Sequence, residues 1–271
     1  MLLAIDIGNT EVTLGLFEAK RVVRSYRVSS ETRRTADEAA LLLRQIAPEL
    51  AGTNGAAEPS RKAKGSRRAA AKEHDCVIAS VVPPQTAIFV EAVRQLLGKT
   101  PHEVTAASAP WVPIDYRDPG AVGADRIANA VGAIERHGKP AIVVDFGTAT
   151  TFDVISREGR YLGGVISPGI LTAAENLVRR AARLGAFEIK APRRVIGRST
   201  EESLQSGLLY GAVGQVDSIV KRIAAEARIR PVVIATGGLA KAIAPHSTTI
   251  RKVDPNLTLH GLRLIHDRLK K

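Results

Sequence analysis

The sequence predicts a mixed α/β protein built as two related halves. Three observations carry this reading. Residues 142–153, Ile-Val-Val-Asp-Phe-Gly-Thr-Ala-Thr-Thr-Phe-Asp, echo the amino-terminal Leu3-Ala-Ile-Asp-Ile-Gly-Asn-Thr: an apolar run, an Asp, one apolar residue, a Gly, then a hydroxyl or amide residue. Strands followed by helices recur in the same order along both halves. A third glycine turn, Thr236-Gly237-Gly238, follows another buried strand near the carboxyl end. Two loops of the first kind, facing one another across a shared cleft, can clamp a polyphosphate and its metal.

The elements follow in order. Leu2–Ile7 is an apolar strand that stops at Gly8, and Val12–Phe17 and Arg21–Arg27 continue it as an antiparallel meander. Thr35-Ala-Asp-Glu38 is a capping box that opens an amphipathic helix to about Leu50. A buried strand over 76–82 ends at Pro83-Pro84, which start a helix through Leu97. Trp111–Gly123 is a Pro/Gly-rich connection, and Ala124–His137 is a helix closed by Gly138. Residues 141–146, 151–156 and 160–166 read as three strands around the second glycine turn. Pro168 is expected to start a helix through Leu184, and Ser199-Thr-Glu-Glu202 to cap a long helix to about Arg228. Pro231–Ala235 is the strand before the third glycine turn. The expected division is 1–118 and 119–271.

Length and composition narrow the class. At 271 residues with 45% apolar content, the chain can bury two ordinary cores. It has no run of eighteen apolar residues, so no transmembrane helix is expected. Asp6 interrupts the first apolar stretch, unlike a signal peptide. The single Cys76 lies in an apolar strand and reads as an inert buried thiol. A reducing cytoplasm fits these features. The net charge of +12 is uneven. Residues 51–74 are rich in Ala, Gly and Ser and place six basic side chains against two acidic ones, with no aromatic residue to stack on bases. They read as a flexible surface insertion rather than a nucleic-acid arm.

The motifs suggest chemistry. At Asp6-Ile-Gly8-Asn9-Thr10 the glycine lets backbone N–H groups approach an anion, Asn9 and Thr10 can donate to phosphate oxygens, and Asp6 suits a hydrated Mg²⁺. An ordinary turn has the same local chemistry, but the second copy at Asp145-Phe-Gly147-Thr148-Ala-Thr150 favours phosphate. The paired glycines at 237 and 238 allow close approach of a flat ligand such as adenine, or a plain strand-to-helix turn. Gly123-Ala124-Asp125-Arg126 opens a helix. There Asp125 can be a cap, or a general base for a substrate hydroxyl with Arg126 holding an anionic substrate. Leu97-Gly98-Lys99-Thr100 is no P-loop, because Val93 stands where that motif needs Gly and the segment follows a helix. The six histidines are scattered and make no metal cluster.

Three glycine turns in this order resemble the two phosphate loops and the adenosine loop of the actin-like ATPase superfamily, which includes acetate and sugar kinases. Asp6-Ile-Gly-Asn-Thr10, Tyr116-Arg-Asp-Pro-Gly-Ala-Val-Gly-Ala-Asp-Arg126, Asp145-Phe-Gly-Thr-Ala-Thr-Thr151, Gly163-Gly-Val-Ile-Ser-Pro-Gly169 and Ser203-Leu-Gln-Ser-Gly207 are similar to motifs of type III pantothenate kinases. The likeness covers nearly all the chain except 51–74. It implies two ribonuclease-H-like domains of the actin-like fold, mixed sheets flanked by helices, with a cleft between them. It implies phosphorylation of pantothenate by ATP, with Mg²⁺ and K⁺ or NH₄⁺, in a homodimer. Carried over, Asp6, Ile7, Gly8, Asn9, Thr10, Glu11, Val12 and Thr13 hold ATP phosphates, with Asp6 on Mg²⁺ through water. Thr148 contacts ATP, and Asp145 binds the monovalent cation. Asp125 accepts the proton, and Tyr116, Gly123, Ala124, Asp125, Arg126 and Thr200 contact pantothenate. Thr200 is otherwise only part of a helix cap.

The chain departs from the family at Asp118 and Glu11, where Asn is usual, and in the 51–74 insertion. An extra carboxylate at 118 could weaken binding of an anionic substrate, and Glu11 could repel ATP or simply point outward. The competing reading is a regulatory protein on the same fold, since some members were first described as accessory factors for transcription.

Overall fold

The structure is a computed structural model that describes residues 1–30, 33–50, 74–180 and 189–270. Most of the 51–74 insertion and residues 181–184 of the expected 168–184 helix lie outside the described residues. The chain forms two compact units. One comprises Met1–Ser108, Gly123–Asp125 and Leu262–Lys271, and the other Ala109–Val122 and Arg126–Gly261. Residue 118 thus falls within the first segment of the second unit.

The first unit holds a five-stranded sheet. Its strands are β1 (Leu2–Ile7), β2 (Glu11–Glu18), β3 (Arg21–Ser29), β4 (Asp75–Ser80) and β5 (His102–Glu103), in the order β3-β2-β1-β4-β5. The expected meander is present: β1 pairs antiparallel with β2 and β2 with β3, while β4 lies parallel to β1. Helices α1 (Ala36–Ile46) and α2 (Pro83–Leu97) pack one sheet face. Leu43, Phe89 and Val93 meet Leu3, Ile5 and Ile7 in one buried cluster. Thr35 and Glu38 exchange both bonds of the capping box. The helix ends at Ile46 rather than near Leu50, and Pro48–Leu50 form a 3₁₀ turn, because Pro48 cannot continue an α-helix. Gly98 closes α2 at φ 67°, which explains the glycine of the rejected P-loop. Cys76 is buried, and burial pushes its thiol up, which disfavours the reactive thiolate.

The second unit repeats the design. Strands β6 (Ala141–Phe146), β7 (Ala149–Ile155), β8 (Tyr161–Pro168), β9 (Val232–Gly237) and β10 (Lys252–Val253) form a sheet in the order β10-β9-β6-β7-β8. With β6 matched to β1, strand order and pairing sense are those of the first sheet. The sequence repeat is therefore a repeat of topology. The long helix α5 (Thr200–Glu226) buries Leu209, Val213, Val216 and Val220 at helical spacing against Ile142, Val144 and Phe146. Ser199 caps it by accepting from the Glu202 amide, but the Glu202 carboxylate accepts from the Arg198 amide, so the box is displaced by one residue. Helix α4 (Ile170–Arg180) starts two residues after Pro168, which instead ends β8. That strand is the sheet edge, where a missing N–H is tolerated.

Helix α3 (Ala124–His137) carries the Gly-Ala-Asp-Arg motif, α6 (Ala240–Ile243) follows the third glycine turn, and α7 (Leu257–Leu269) ends the chain. Helices α3 and α7 touch backbone to backbone. A Cβ on Gly132 would lie 2.8 Å from the Leu257 carbonyl, and one on Gly261 would overlap the Ala128 carbonyl. Just before α7, the buried Asp254 carboxylate accepts from Arg136 Nε at 2.8 Å and lies 3.0 Å from His137 Nε2. Burial alone would raise this carboxyl, but the hydrogen bonds and charges of Arg136 and His137 outweigh it and hold it below the usual range. Its folded pKa is depressed, so its stabilising contribution is present above the unfolded value of about 3.9 and is lost as pH falls through the folded pKa. Urea melts of the parent and Asp254→Asn are therefore expected to differ most above pH 5 and to converge towards pH 3. A difference that does not shrink on acidification would refute the linkage.

Candidate active site

The two Asp-Gly turns occupy equivalent places. Asp6 is the penultimate residue of β1, opposite Thr13 on β2 and Ala79 on β4. Asp145 is the penultimate residue of β6, opposite Thr151 on β7 and Thr236 on β9. Both are half-buried at the carboxyl end of a central strand, the end at which open α/β sheets bind ligands.

In the first unit the loop after β1 is tightly held. The Gly8 amide donates to the Glu11 carbonyl at 3.0 Å. Ser30 donates from Oγ to the Gly8 carbonyl at 2.6 Å and from its amide to the Thr10 carbonyl at 2.8 Å. Gln85 Nε2 in turn donates to the Ser30 carbonyl at 2.9 Å. With these carbonyls bound behind the loop, Asn9 and Thr10 remain exposed at its tip. Ile7 and Val12 are buried anchors on either side. Glu11 points outward, its carboxylate 3.9 Å from the Arg27 guanidinium. Sequence reasoning missed Ser30, because a serine after a strand carries no motif.

Asp125 belongs to the same unit and sits in the first turn of α3, one position past its first residue. Its carboxylate lies back over Gly123, where a side chain would collide with Asp125 Oδ1 and come within 3.3 Å of Val81. Glycine at 123 thus makes room for the proposed base.

In the second unit the turn after β6 is stitched to the start of α4. The Thr148 carbonyl accepts from the Gly169 amide at 3.1 Å and from Thr172 Oγ1 at 2.8 Å, and the Thr148 side chain is exposed. A side chain at Gly169 would overlap the Thr148 carbonyl. The third glycine turn lies against the second: Gly238 donates its amide to the Phe146 carbonyl at 3.1 Å, and Gly237 adopts φ 87°. A Cβ on Gly237 would lie 2.5 Å from Asp145 Oδ1.

Arg126 is placed differently from a simple surface anchor. Only 9% exposed, it donates from Nε to Asp153 Oδ1 at 2.6 Å and from Nη2 to the Phe152 carbonyl at 3.1 Å. The Tyr161 hydroxyl donates to the same Asp153 oxygen at 3.1 Å, and the guanidinium carbon lies 5.9 Å from the Tyr161 ring centroid. Burial and the Asp153 charge push the Tyr161 phenol far up, so it stays a neutral donor. The Gly163-Gly164 pair makes the space. A side chain at 164 would overlap the Phe152 carbonyl and lie 2.7 Å from Arg126 Nη2, and one at 163 would lie 3.3 Å from the Tyr116 ring. Tyr116 is brought there by residues 113–115, which bond to Tyr161 along β8. Two sequence-predicted substrate residues, Tyr116 and Arg126, thus flank one glycine pair. Asp153 was missed, although an acid inside the apolar run Phe152–Ile155 was a visible signal. Asp118 caps the 3₁₀ turn Pro119–Ala121, accepting from the Gly120 amide at 3.0 Å, a bond an Asn at this position can also make. Thr200 is exposed at the first position of α5. Among the described residues, no group of three or more His, Cys, Asp or Glu side chains gathers at metal-binding spacing.

A sheet of this order whose central strand ends in Asp-x-Gly, occurring twice in one chain, defines the actin-like ATPase and sugar-kinase fold. Among solved structures, a Campylobacter jejuni protein described as a Baf family transcriptional activator matches with a TM-score of 0.57 at 16% identity, over 99% of this chain and 98% of that one. MreB 5 of Spiroplasma citri, bound to AMPPNP, matches with a TM-score of 0.54 at 10% identity, over 99% and 96%. At such identities the likeness shows the fold alone, and the regulatory reading gains nothing from it. The family model for type III pantothenate kinase matches residues 2–222. The type III pantothenate kinase of Moorella thermoacetica is 44% identical over 99% of both chains. The chain belongs to the type III pantothenate kinase family; it is a kinase, and ATP supplies its phosphoryl group.

Proposed function

We propose that this protein transfers the γ-phosphoryl group of ATP to the primary hydroxyl of pantothenate, giving 4′-phosphopantothenate, the first step of coenzyme A synthesis. Full-length identity of 44% to a type III pantothenate kinase carries this reading. Residues 6–13 hold the ATP phosphates, Ile7 and Val12 anchoring the loop while Asn9, Thr10 and the loop amides face the oxygens. Thr148 contacts ATP at the second turn. Asp125 orients the pantothenate hydroxyl and accepts its proton. Tyr116, Gly123, Ala124 and Thr200 contact pantothenate. Arg126, its guanidinium held by Asp153, supplies the positive charge that meets the substrate's carboxylate. Phosphoryl transfer needs mostly positioning and charge neutralisation, which these residues provide.

The residues fit the two cations proposed. One half-buried carboxylate at a phosphate loop, with no cage of three or more acidic, His or Cys ligands among the described residues, suits Mg²⁺ held by Asp6 through water. Asp145, whose Oδ1 approaches the backbone at Gly237, suits a monovalent cation, K⁺ or NH₄⁺. When bound, these cations offset charge on the phosphate oxygens.

A homodimer working in the cytoplasm is part of the proposal. No described helix is long and apolar enough to cross a membrane. Ile166, Leu171 and Leu177 are exposed by 64%, 50% and 43%. Gly207, Gly211 and Gly214 on α5 have open space where side chains would stand, which suits close approach of a second copy. ADP release from Mg-ATP tests the reaction, with and without pantothenate, in Na⁺, K⁺ or NH₄⁺. Release that needs pantothenate and is stimulated by K⁺ or NH₄⁺ over Na⁺ is expected, because a bound cation offsets charge that grows on the phosphoryl oxygens. Release indifferent to pantothenate would overturn the substrate, and indifference to the cation would overturn the role of Asp145. Light scattering on the same preparation reads the dimer, and a monomer at assay concentration would reject it.

A further inference from the structure

Asn129 on α3 is a polar side chain only 1% exposed. Its Nδ2 donates to Asp145 Oδ2 at 3.1 Å, and its Oδ1 accepts from Thr258 Oγ1 at 2.7 Å. The two partners together fix the amide's orientation: an ionised carboxylate only accepts, and the Thr258 hydroxyl donates to the amide oxygen. Turning the amide over would set its oxygen against the Asp145 carboxylate. The carboxylate is thereby oriented as well, with Oδ2 towards α3 and Oδ1 towards the backbone at Gly237.

The arrangement depends on the helix crossing. Thr258 reaches Asn129 because Gly132 and Gly261 let α7 meet α3 at backbone contact. The donor is also neutral. A lysine or arginine at 129 could reach the same oxygen, but its charge would offset that of Asp145 and weaken attraction for a cation. An amide orients the carboxylate without cancelling its charge, as partners behind metal-binding carboxylates commonly do.

We propose that Asn129, held by Thr258, is a positioning residue that fixes how Asp145 is presented to the monovalent cation, and so sets the affinity for that cation. This rests on the assignment of Asp145 to that cation. The test compares the parent with Asn129→Ala, Thr258→Val and Thr258→Ser. Two quantities are read: the K⁺ concentration giving half-maximal turnover, and the K⁺-dependent rise in Tm with Mg²⁺ and a non-hydrolysable ATP analogue. Losing a partner behind a ligand weakens metal binding by about 10–100-fold, so Asn129→Ala is expected to raise half-activating K⁺ at least about tenfold. The Tm response should move to higher K⁺ in parallel, while the KM for pantothenate stays within about twofold, because uniform substrate binding is untouched. Thr258→Val should show a smaller shift of the same kind, and Thr258→Ser, which keeps the hydroxyl, should restore parental behaviour. Variants that melt earlier but keep the parent's half-activating K⁺ would overturn the proposal and leave Asn129 as a tie between helices. If Asn129→Ala does not fold, the two Thr258 variants decide by the same criteria. A parent indifferent to K⁺ in both readouts would overturn the Asp145 assignment and this proposal with it, an outcome seen without any variant.

Discussion

Replacing Asp125 by Asn is expected to lower kcat for pantothenate phosphorylation by at least about 10²-fold, the usual contribution of a positioned general base. Asparagine has nearly the same shape, so the side chain can still lie back over Gly123 beside Val81. It cannot take the hydroxyl proton. The change also removes the carboxylate's interaction with the helix dipole, about 0.3–1 kcal/mol of stability. Steady-state kinetics and a thermal melt of the same sample separate the two effects. A melt close to the parent with kcat reduced a hundredfold supports the role. An unchanged kcat would remove Asp125 from the chemistry and return it to a helix-start carboxylate.

Removing the Asp153 carboxylate is expected to cost the most stability of any change at the site. Asp153→Ala takes the carboxylate away from the Arg126 guanidinium, which is 9% exposed, and breaking a buried pair in this way costs about 3–5 kcal/mol. The Tyr161 hydroxyl loses its acceptor at the same time. Urea unfolding checks the loss, and a decrease below about 1 kcal/mol would contradict it. The double change Arg126→Met with Asp153→Leu tells the two roles of Arg126 apart. It removes both charges, so much of the lost stability should return, while pantothenate binding should not. Recovery of binding as well would mean that Arg126 does not contact the substrate.

Much of the fold was legible because its signals are local. The capping box at Thr35–Glu38, the prolines opening α2 and the glycines closing α2 and α3 act through bonds a few residues apart. The boundaries that moved did so for reasons beyond those signals. Ser-Pro-Gly at 167–169 reads as a helix start, but β8 is an edge strand, and an edge accepts the proline that an inner strand would reject. The carboxyl-terminal helix α7 was not read, although its apolar residues Leu257, Leu259, Leu262 and Ile265 are buried. The two Asp-Gly turns were found because they repeat, and the repeat proved to be one of whole sheets. Ser30, Asn129 and Asp153 were not found, since each acts on a residue 16 to 27 positions away that no short motif links to it.

The sequence by itself determined the two halves, the strands that deliver Asp6 and Asp145, the start of α3 at Ala124, and the kinase family. Those depend on apolar period, glycine at forced turns and acid at strand ends, all properties of neighbouring residues. Only the tertiary structure decided which groups answer the polar atoms of the site: Asp153 for Arg126, Asn129 and then Thr258 for Asp145, Ser30 for the carbonyls of the first loop. A buried charge or donor costs several kcal/mol unless it is met, and the group that meets it is whichever segment the packing brings within about 3 Å. Here Thr258 reaches an asparagine 129 residues away because two glycines let α3 and α7 touch.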